Sequence, residues 1–380
     1  MGNRVAGQNG AGNEKKIRAA ILGAGYISDF HIRALRTLPY VRLEAICDTS
    51  RARAESFQKR WSIPNCFQNA QEMLQSCQLD VVHALVPPPL HAEIASVCLE
   101  GGCNVFLEKP AATNIAECER LLSVAQRTRK VVGLNHNALY HPAFRRLVGE
   151  VTNARLGEVQ HVIAVVNVPL RQLQGSNHSF WMLQQPGNII LEQAPHPLSQ
   201  IQFLVGNAQS VSAMCSGEIT LKSGVPFFDR WQISMQCERG TAQCYLSFNK
   251  GFLETQLQVI GEDGSAVVDL RRNTVRFSDK TRLLEPVDSL RNALVGASGL
   301  SRQGLGNFMD YALGFLGLQS PRDPFFISMQ ASIAEFYAAL RRNEAPPVRL
   351  EDGCEIVATC EEIARMAGHA VGASASRAIP

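Results

Sequence analysis

The sequence predicts an α/β chain of two domains, a doubly wound parallel sheet followed by an α+β domain. Three observations carry this expectation. Over roughly the first 135 residues, short and near-continuously apolar segments alternate with helix-like ones, the pattern of strands covered on both faces by crossover helices. Beyond about residue 140, strand-like segments follow one another closely. Turn signals such as Glu238-Arg239-Gly240 and Glu262-Asp263-Gly264 separate them, which suggests an antiparallel or mixed sheet. The chain of 380 residues, 46% apolar and 19% charged, is long enough for two cores and too apolar to be disordered.

In order, Lys16 to Leu22 is a short apolar strand closing on Gly23-Ala24-Gly25, and a helical pattern runs from Ile27 to Thr37. Val41 to Cys47 is a second strand ended by Asp48, and Arg51 to Arg60 reads as helix. Asp80 to Val86 is a strand stopped by Pro87-Pro88-Pro89, which cannot continue a sheet interior. His91 to Glu100 is a helix with Gly101-Gly102 as its C-terminal signal. Asn104 to Leu107 is a strand. Asn114 and Glu117 form a capping-box pattern for a helix through Thr128, and Lys130 to Leu134 closes the series. In the second half, strands are expected at 158–168, 209–216, 231–238, 241–249, 256–260, 266–270 and 274–277. Helices are expected at 197–204, 307–318 and 327–341, and no internal repeat is present.

Composition excludes several functions. The 37 Lys and Arg against 34 Asp and Glu give a net charge of +3, scattered without a basic block, so no nucleic-acid footprint exists. No apolar stretch approaches the roughly 18 residues of a membrane span, and no membrane partner is expected. The 11 cysteines contain no C-x-x-C pair and no zinc-ligand spacing, so no metal site is expected. Dispersed thiols in apolar segments read as small buried hydrophobes of a reducing compartment, and a cytoplasmic location is expected. Residues 1–14 read as a flexible leader without a signal region, and 366–380 as a flexible tail.

The turn Gly23-Ala24-Gly25-Tyr26-Ile27-Ser28 stands between a strand and a helix, where the phosphate-binding turn of a Rossmann unit belongs. Gly23 permits the tight turn, Gly25 lets backbone approach a pyrophosphate, and the helix N-terminus offers N–H groups and positive dipole to it. Ser28 takes the third, packing position. Asp48 ends the next strand at the spacing of an acid that binds ribose hydroxyls. A carboxylate there repels a 2′-phosphate and favours NAD, while Ser50 and Arg51 just beyond it leave NADP as the alternative.

The order Gly23-x-Gly25-x-x-Ser28-x-x-His31, then Pro87-Pro88-x-x-His91, then Glu108-Lys109-Pro110, resembles the glucose–fructose oxidoreductase/inositol dehydrogenase (Gfo/Idh/MocA) family over about residues 16 to 350. The resemblance implies a Rossmann domain at 15–138 and a substrate-binding and oligomerisation domain at 139–365 with an open, mostly antiparallel sheet. It also implies an active site between the two. Its cofactor contacts are Gly23, Gly25, Tyr26, Ile27, Asp48, Ser50, Arg51, Pro87, His91, Glu108 and Lys109. The implied activity is NAD(P)-dependent hydride transfer to or from a secondary alcohol or ketone of a sugar, sugar nucleotide or cyclitol. A homodimer or homotetramer formed through the C-terminal sheet is implied with it.

Lys109 precedes a proline, which biases it to an extended conformation at the carboxyl edge of the sheet, where an ammonium can hold a reacting oxygen. The family element D-x-G-x-H-x-x-D corresponds to Glu192-Gln193-Ala194-Pro195-His196-Pro197-Leu198-Ser199. His196 is then the acid/base and Glu192 its support, with Glu, Ala and Ser in place of Asp, Gly and Asp. Pro195 and Pro197 argue against a regular helix before His196. Asn137 stands where the family often has Arg, and Tyr140 and His141 follow it as pocket candidates. In 170–188, Arg171, Asn177, His178, Trp181 and Gln184 suit a carbohydrate, which takes hydrogen bonds at its hydroxyls and an aromatic face over its C–H patches. The same residues suit a subunit contact. Arg291 and Arg302 in 283–323 are candidates for capping the site or binding a substrate phosphate. Two other functions stay open: a redox-neutral, NAD-dependent glycoside hydrolase of the same family, and a non-catalytic dinucleotide-binding sensor.

Overall fold

The computed structural model describes residues 16–174, 179–319 and 322–368. The expected leader and the tail beyond residue 368 lie outside them, as do Asn177 and His178. Strands β1 (Ile17–Leu22), β2 (Val41–Cys47), β3 (Asn65–Phe67), β4 (Val81–Ala84), β5 (Asn104–Glu108) and β6 (Val132–Asn135) form one sheet. Their order is β3-β2-β1-β4-β5-β6, and every neighbouring pair is parallel. The order turns between β1 and β4, which makes the crevice at their carboxyl ends the topological switch point. Helices α1 (Tyr26–Leu35), α2 (Arg51–Trp61), α3 (Ala70–Ser76), α4 (His91–Glu100) and α5 (Ile115–Thr128) connect these strands. β4 and β6 are buried along their whole length, as covering on both faces requires. At the start of α5, Asn114 accepts from the Glu117 amide while the Glu117 carboxylate accepts from the Thr113 amide and hydroxyl.

After α6 (Pro142–Thr152) come β7 (Val159–Asn167), α7 (Arg171–Gln174), α8 (Asn188–Gln193) and α9 (Pro195–Val205). Strands β8 (Ala208–Thr220), β9 (Pro226–Cys237), β10 (Gly240–Ser247), β11 (Glu254–Gly261), β12 (Gly264–Asp269) and β13 (Thr274–Asp279) follow. The second sheet has the order β13-β12-β11-β7-β10-β9-β8, and only β7 with β10 is parallel. Its long strand β9 alternates between buried and outward residues. On β9, Phe227, Trp231, Ile233 and Met235 are buried while Arg230, Gln232, Ser234 and Gln236 face out.

The chain ends with α10 (Glu285–Phe315), α11 (Pro324–Arg342) and α12 (Leu350–Met366). α11 packs on α1, and its Ile333, Phe336 and Tyr337 complete a core with Ile21, Ile32, Ile46 and Phe106. α12 packs on α5 and β8, so helices from beyond the second sheet cover the first. β3, α3, α6 and α12 are not anticipated by the sequence reading. β3 has three residues, and α3 buries only Met73. In α12 the buried stripe includes Cys354 and Cys360, small thiols that weaken an apolar periodicity. The helix expected at 307–318 is the last part of the much longer α10.

Candidate active site

The turn after β1 is shaped for close approach. Gly23 has φ +105°, and a Cβ there would lie 2.3 Å from the Leu85 carbonyl oxygen, so a side chain is excluded twice over. Gly25 caps α1 with open space where its Cβ would project. Ser28 is fully buried, and its hydroxyl donates to the Gly23 carbonyl at 2.6 Å and accepts from the Gly25 amide at 3.2 Å. It therefore ties the turn to the helix as well as packing beneath it. Asp48 accepts from the Ala24 amide (2.8 Å), the Ser50 amide (2.8 Å) and the Arg53 guanidinium (3.0 Å).

A cleft of about 680 Å³ opens here, lined by Gly23, Gly25, Asp48, Arg53, Gln68 and Pro87 among others. A bare glycine turn, a helix N-terminus and a carboxylate at the end of β2 fit a dinucleotide. Of the other cofactor candidates, Arg51 points away to Glu55 at 2.8 Å, and Arg53, which the sequence reading missed, takes its place beside Asp48. Only the helix register of α2 separates the two. Tyr26 is exposed and stacks edge-on with Phe30, Ile27 packs on the core of β1, and neither lines the cleft.

His91 begins α4 fully buried, with Nδ1 2.6 Å from the Pro110 carbonyl and Nε2 2.9 Å from the Val86 carbonyl. It clamps the segment after β4 to the segment after β5, where the Lys109–Pro110 bond is cis. Glu108 lies behind. Its carboxylate accepts from His31 Nε2 (2.7 Å) and Asn135 Nδ2 (2.6 Å). His31 Nδ1 meets His83 Nδ1 at 2.8 Å, and His83 Nε2 meets the Tyr337 hydroxyl at 2.9 Å. Burial alone would raise the Glu108 carboxyl, but hydrogen bonding and charge from His31 and the Asn135 contact hold it below the usual carboxylate range. An ionised Glu108 only accepts, so His31 Nε2 carries the proton of this contact, and the next two contacts run on through His83 to the Tyr337 hydroxyl. A hydrogen-bonded chain thus runs from α11 through the sheet to the residue before Lys109.

Lys109 Nζ crosses to the second domain and donates to the Glu192 carbonyl (2.8 Å) and carboxylate (2.9 Å). The second carboxylate oxygen of Glu192 accepts from Trp181 Nε1 at 3.0 Å. Beside this cluster a cavity of about 320 Å³ lies against the sheet face, lined by Asn137, His141, His196, Gln200, Arg271 and Asp323 among others. Asn137 is buried and bonded to the Ser328 hydroxyl at 3.1 Å. Tyr140 packs into the main core, where burial pushes its phenol to about 12, and it does not line the cavity. Arg171 is exposed on α7. Arg291 and Arg302 sit on α10, outside edge strand β13, and neither lines the cavity.

A family model described as "Oxidoreductase family, NAD-binding Rossmann fold" matches residues 17–136, and the GFO/IDH/MocA C-terminal domain matches residues 144–267. The chain belongs to the Gfo/Idh/MocA family. It is an NAD-binding oxidoreductase of that family. Similar proteins include D-glucoside 3-dehydrogenase of Escherichia coli, 26% identical over 57% of this chain and 62% of that one. Myo-inositol 2-dehydrogenase of Thermotoga maritima is 20% identical over 70% of this chain and 79% of that one. Among solved structures, levoglucosan dehydrogenase in complex with NADH and levoglucosan has the same fold. Its TM-score is 0.76 at 15% identity, covering 93% of this chain and 97% of that chain.

The family element around His196 folds differently from its expectation. α8 ends at Gln193, Ala194 keeps helical dihedrals, and α9 starts at Pro195, so helix runs up to His196 on both sides. The prolines are accommodated because both fall in the first turn, where no intrahelical N–H is required. Glu192 turns to Lys109 and Trp181 rather than to His196. Burial, then the Lys109 charge and His136, push the His196 imidazole down to about 3. His136, another residue missed by sequence reasoning, is buried against the Pro195 carbonyl without a hydrogen bond of normal geometry, and burial lowers it to about 4. The Asn135-His136-Asn137 triplet was visible in the sequence, but which of its three side chains would face Lys109 was not.

Proposed function

We propose that this oxidoreductase acts on a secondary alcohol or ketone of a sugar, sugar nucleotide or cyclitol. The observation that carries the reading is the Lys109–Glu192 pair at the carboxyl edge of the first sheet, beside the cavity of the second domain that His196 lines. Gly23, Gly25, Asp48 and Pro87 would hold the dinucleotide, which when bound supplies the hydride acceptor. Lys109 would donate a hydrogen bond to the reacting oxygen and offset the negative charge that develops there. His196 lines the cavity and would accept the alcohol proton, with burial and the Lys109 charge weakening it as a base. Glu192 aims the ammonium of Lys109 while Trp181 holds Glu192 in place. Asn137, Gln200 and Arg271 present the mixed donors and acceptors that hydroxyl groups need.

NAD is the proposed cofactor over NADP because the Asp48 carboxylate already engages Arg53, the cation that would otherwise meet a 2′-phosphate. All of the cysteines are free, which supports a reducing, cytoplasmic setting. Among the described residues no helix is long and apolar enough to cross a membrane.

The test is absorbance of reduced nicotinamide with NAD and NADP against sugars, uronates, cyclitols and nucleotide sugars. Turnover with one class and NAD is expected. Release of a sugar from a glycoside without net reduction would replace this reading with the redox-neutral hydrolase, and absence of dinucleotide affinity would leave only a scaffold.

A further inference from the structure

α10 is amphipathic the wrong way round for a monomer. The face it turns to edge strand β13 is polar and small. Asn292 exchanges hydrogen bonds with the Asp279 backbone, and Gln303 does the same with both backbone groups of Val275. Asn307 donates to the Arg272 and Asn273 carbonyls, and Gly296 sits against the Arg276 side chain. These amides satisfy the free edge of the sheet. The apolar side chains point to solvent instead, with Leu294 62%, Phe308 63% and Phe315 79% exposed.

The outward stripe has an internal symmetry. It runs through Val287, Leu290, Leu294 and Ala297 to Ser301, then through Leu305, Phe308 and Ala312 to Phe315. The steps are three, four, three and four residues to Ser301, and four, three, four and three beyond it. Reversed, the series is unchanged. Under the same reversal large Leu305 mirrors small Ala297 and Leu290 mirrors small Ala312, Leu294 mirrors Phe308 and Val287 mirrors Phe315, and small Ser301 lies at the centre.

We infer that α10 is a subunit contact, pairing antiparallel with α10 of a second copy of this chain about a two-fold axis at Ser301. In that register Val287 meets the partner's Phe315, Leu290 the partner's Ala312, Leu294 the partner's Phe308 and Ala297 the partner's Leu305. Arg291 comes opposite the partner's Tyr311 with the partner's Asp310 beside it, an aromatic face and an acid for one guanidinium. An isologous interface demands such self-complementarity, and alternating three- and four-residue steps are the seam of antiparallel helices packed at a shallow angle. At roughly 100 Å² each, the six large apolar side chains of the stripe expose on the order of 600 Å², the top of the range a monomer ordinarily shows and most of one side of a standard interface. A membrane surface fits less well, because α10 has only Arg291 and Arg302 as basic residues against Glu285, Asp288 and Asp310. The outward face of β9, with Arg230, Gln232, Ser234 and Gln236, is far more polar.

Light scattering on the full chain tests this. The wild type is expected as a dimer or tetramer, and Leu294→Glu with Phe308→Glu should halve its mass while leaving the circular dichroism unchanged. A second variant does not depend on destabilisation. Oxidised Ser301→Cys should form a covalent dimer, whereas Ser289→Cys, whose two copies stand about 36 Å apart along the paired helices, should not. A monomeric wild type, an unchanged mass in the double variant, or no cross-link at residue 301 would overturn the inference. So would a monomer that sediments with phosphatidylcholine–phosphatidylserine vesicles through Leu294 and Phe308, which would assign the stripe to lipid.

Discussion

Lys109 Nζ donates to two oxygens of one residue, the main-chain carbonyl and the side-chain carboxylate of Glu192, at 2.8 and 2.9 Å. The double contact pins a flexible four-carbon chain across the junction between the domains. It also leaves the ammonium with a third N–H, the one available to a substrate oxygen.

Lys109→Ala is therefore expected to lower kcat by at least about 100-fold, the size of a lost charge-stabilising donor, while NAD affinity changes by less than a few-fold. Steady-state rates and a fluorescence titration with NADH separate the two effects. Activity within a few-fold of wild type would remove Lys109 from the chemistry.

Glu192→Asp keeps the charge but withdraws the carboxylate by one methylene from both Lys109 and Trp181. We expect kcat to fall about 10-fold or more with the fold intact, since misplacement of the lysine head costs rate before it costs stability. A variant with wild-type kcat would show that Lys109 needs no such guide.

Asp48→Ser removes the carboxylate that engages Arg53 and opposes a 2′-phosphate. The ratio of kcat/KM for NAD over NADP should drop at least about 10-fold, roughly 1.4 kcal/mol of discrimination. Initial rates with each cofactor check it, and an unaltered ratio would mean that Asp48 serves only the turn at Ala24.

Acid should destabilise the protein well above the carboxylate range. His196, His136 and His141 are depressed to about 3, 4 and 4, in each case first by burial. The unfolded chain takes up these protons near pH 6.5, while the native state refuses them until the depressed values are reached. Stability is thus full above pH 6.5 and lost as pH falls from there toward about 4, by about 1.4 kcal/mol per pH unit for each histidine. Urea denaturation at pH 7, 6 and 5 measures the slope. A midpoint that holds constant over that range would contradict the burial of these rings.

Tyr337→Phe deletes one hydroxyl at the far end of the chain through His83, His31 and Glu108. His83 Nε2 would be left buried without its hydrogen-bond partner, at a cost of about 1–3 kcal/mol. Thermal unfolding of the variant reports this, and an unchanged Tm would show that the Tyr337 hydroxyl contributes nothing to the chain's stability.

The sequence by itself determined the parts whose physics is local. A tight turn needs Gly23, a strand buried on both faces needs an apolar run, and a proline after Lys109 restricts its backbone, so these were legible from neighbours alone. The exact start and end of α4 and the cap at Asn114 belong to the same class. Tertiary structure decided what depends on residues distant in the chain. Whether Arg51 or Arg53 faces Asp48 is set by how α2 packs, and whether Glu192 serves His196 or Lys109 by where β5 meets α8. The chain Tyr337–His83–His31–Glu108 joins four elements that no sequence spacing connects. α10 is the sharpest case: its polar face looks inward because a sheet edge there requires hydrogen-bond partners, so an apolar stripe normally read as core lies on the surface instead.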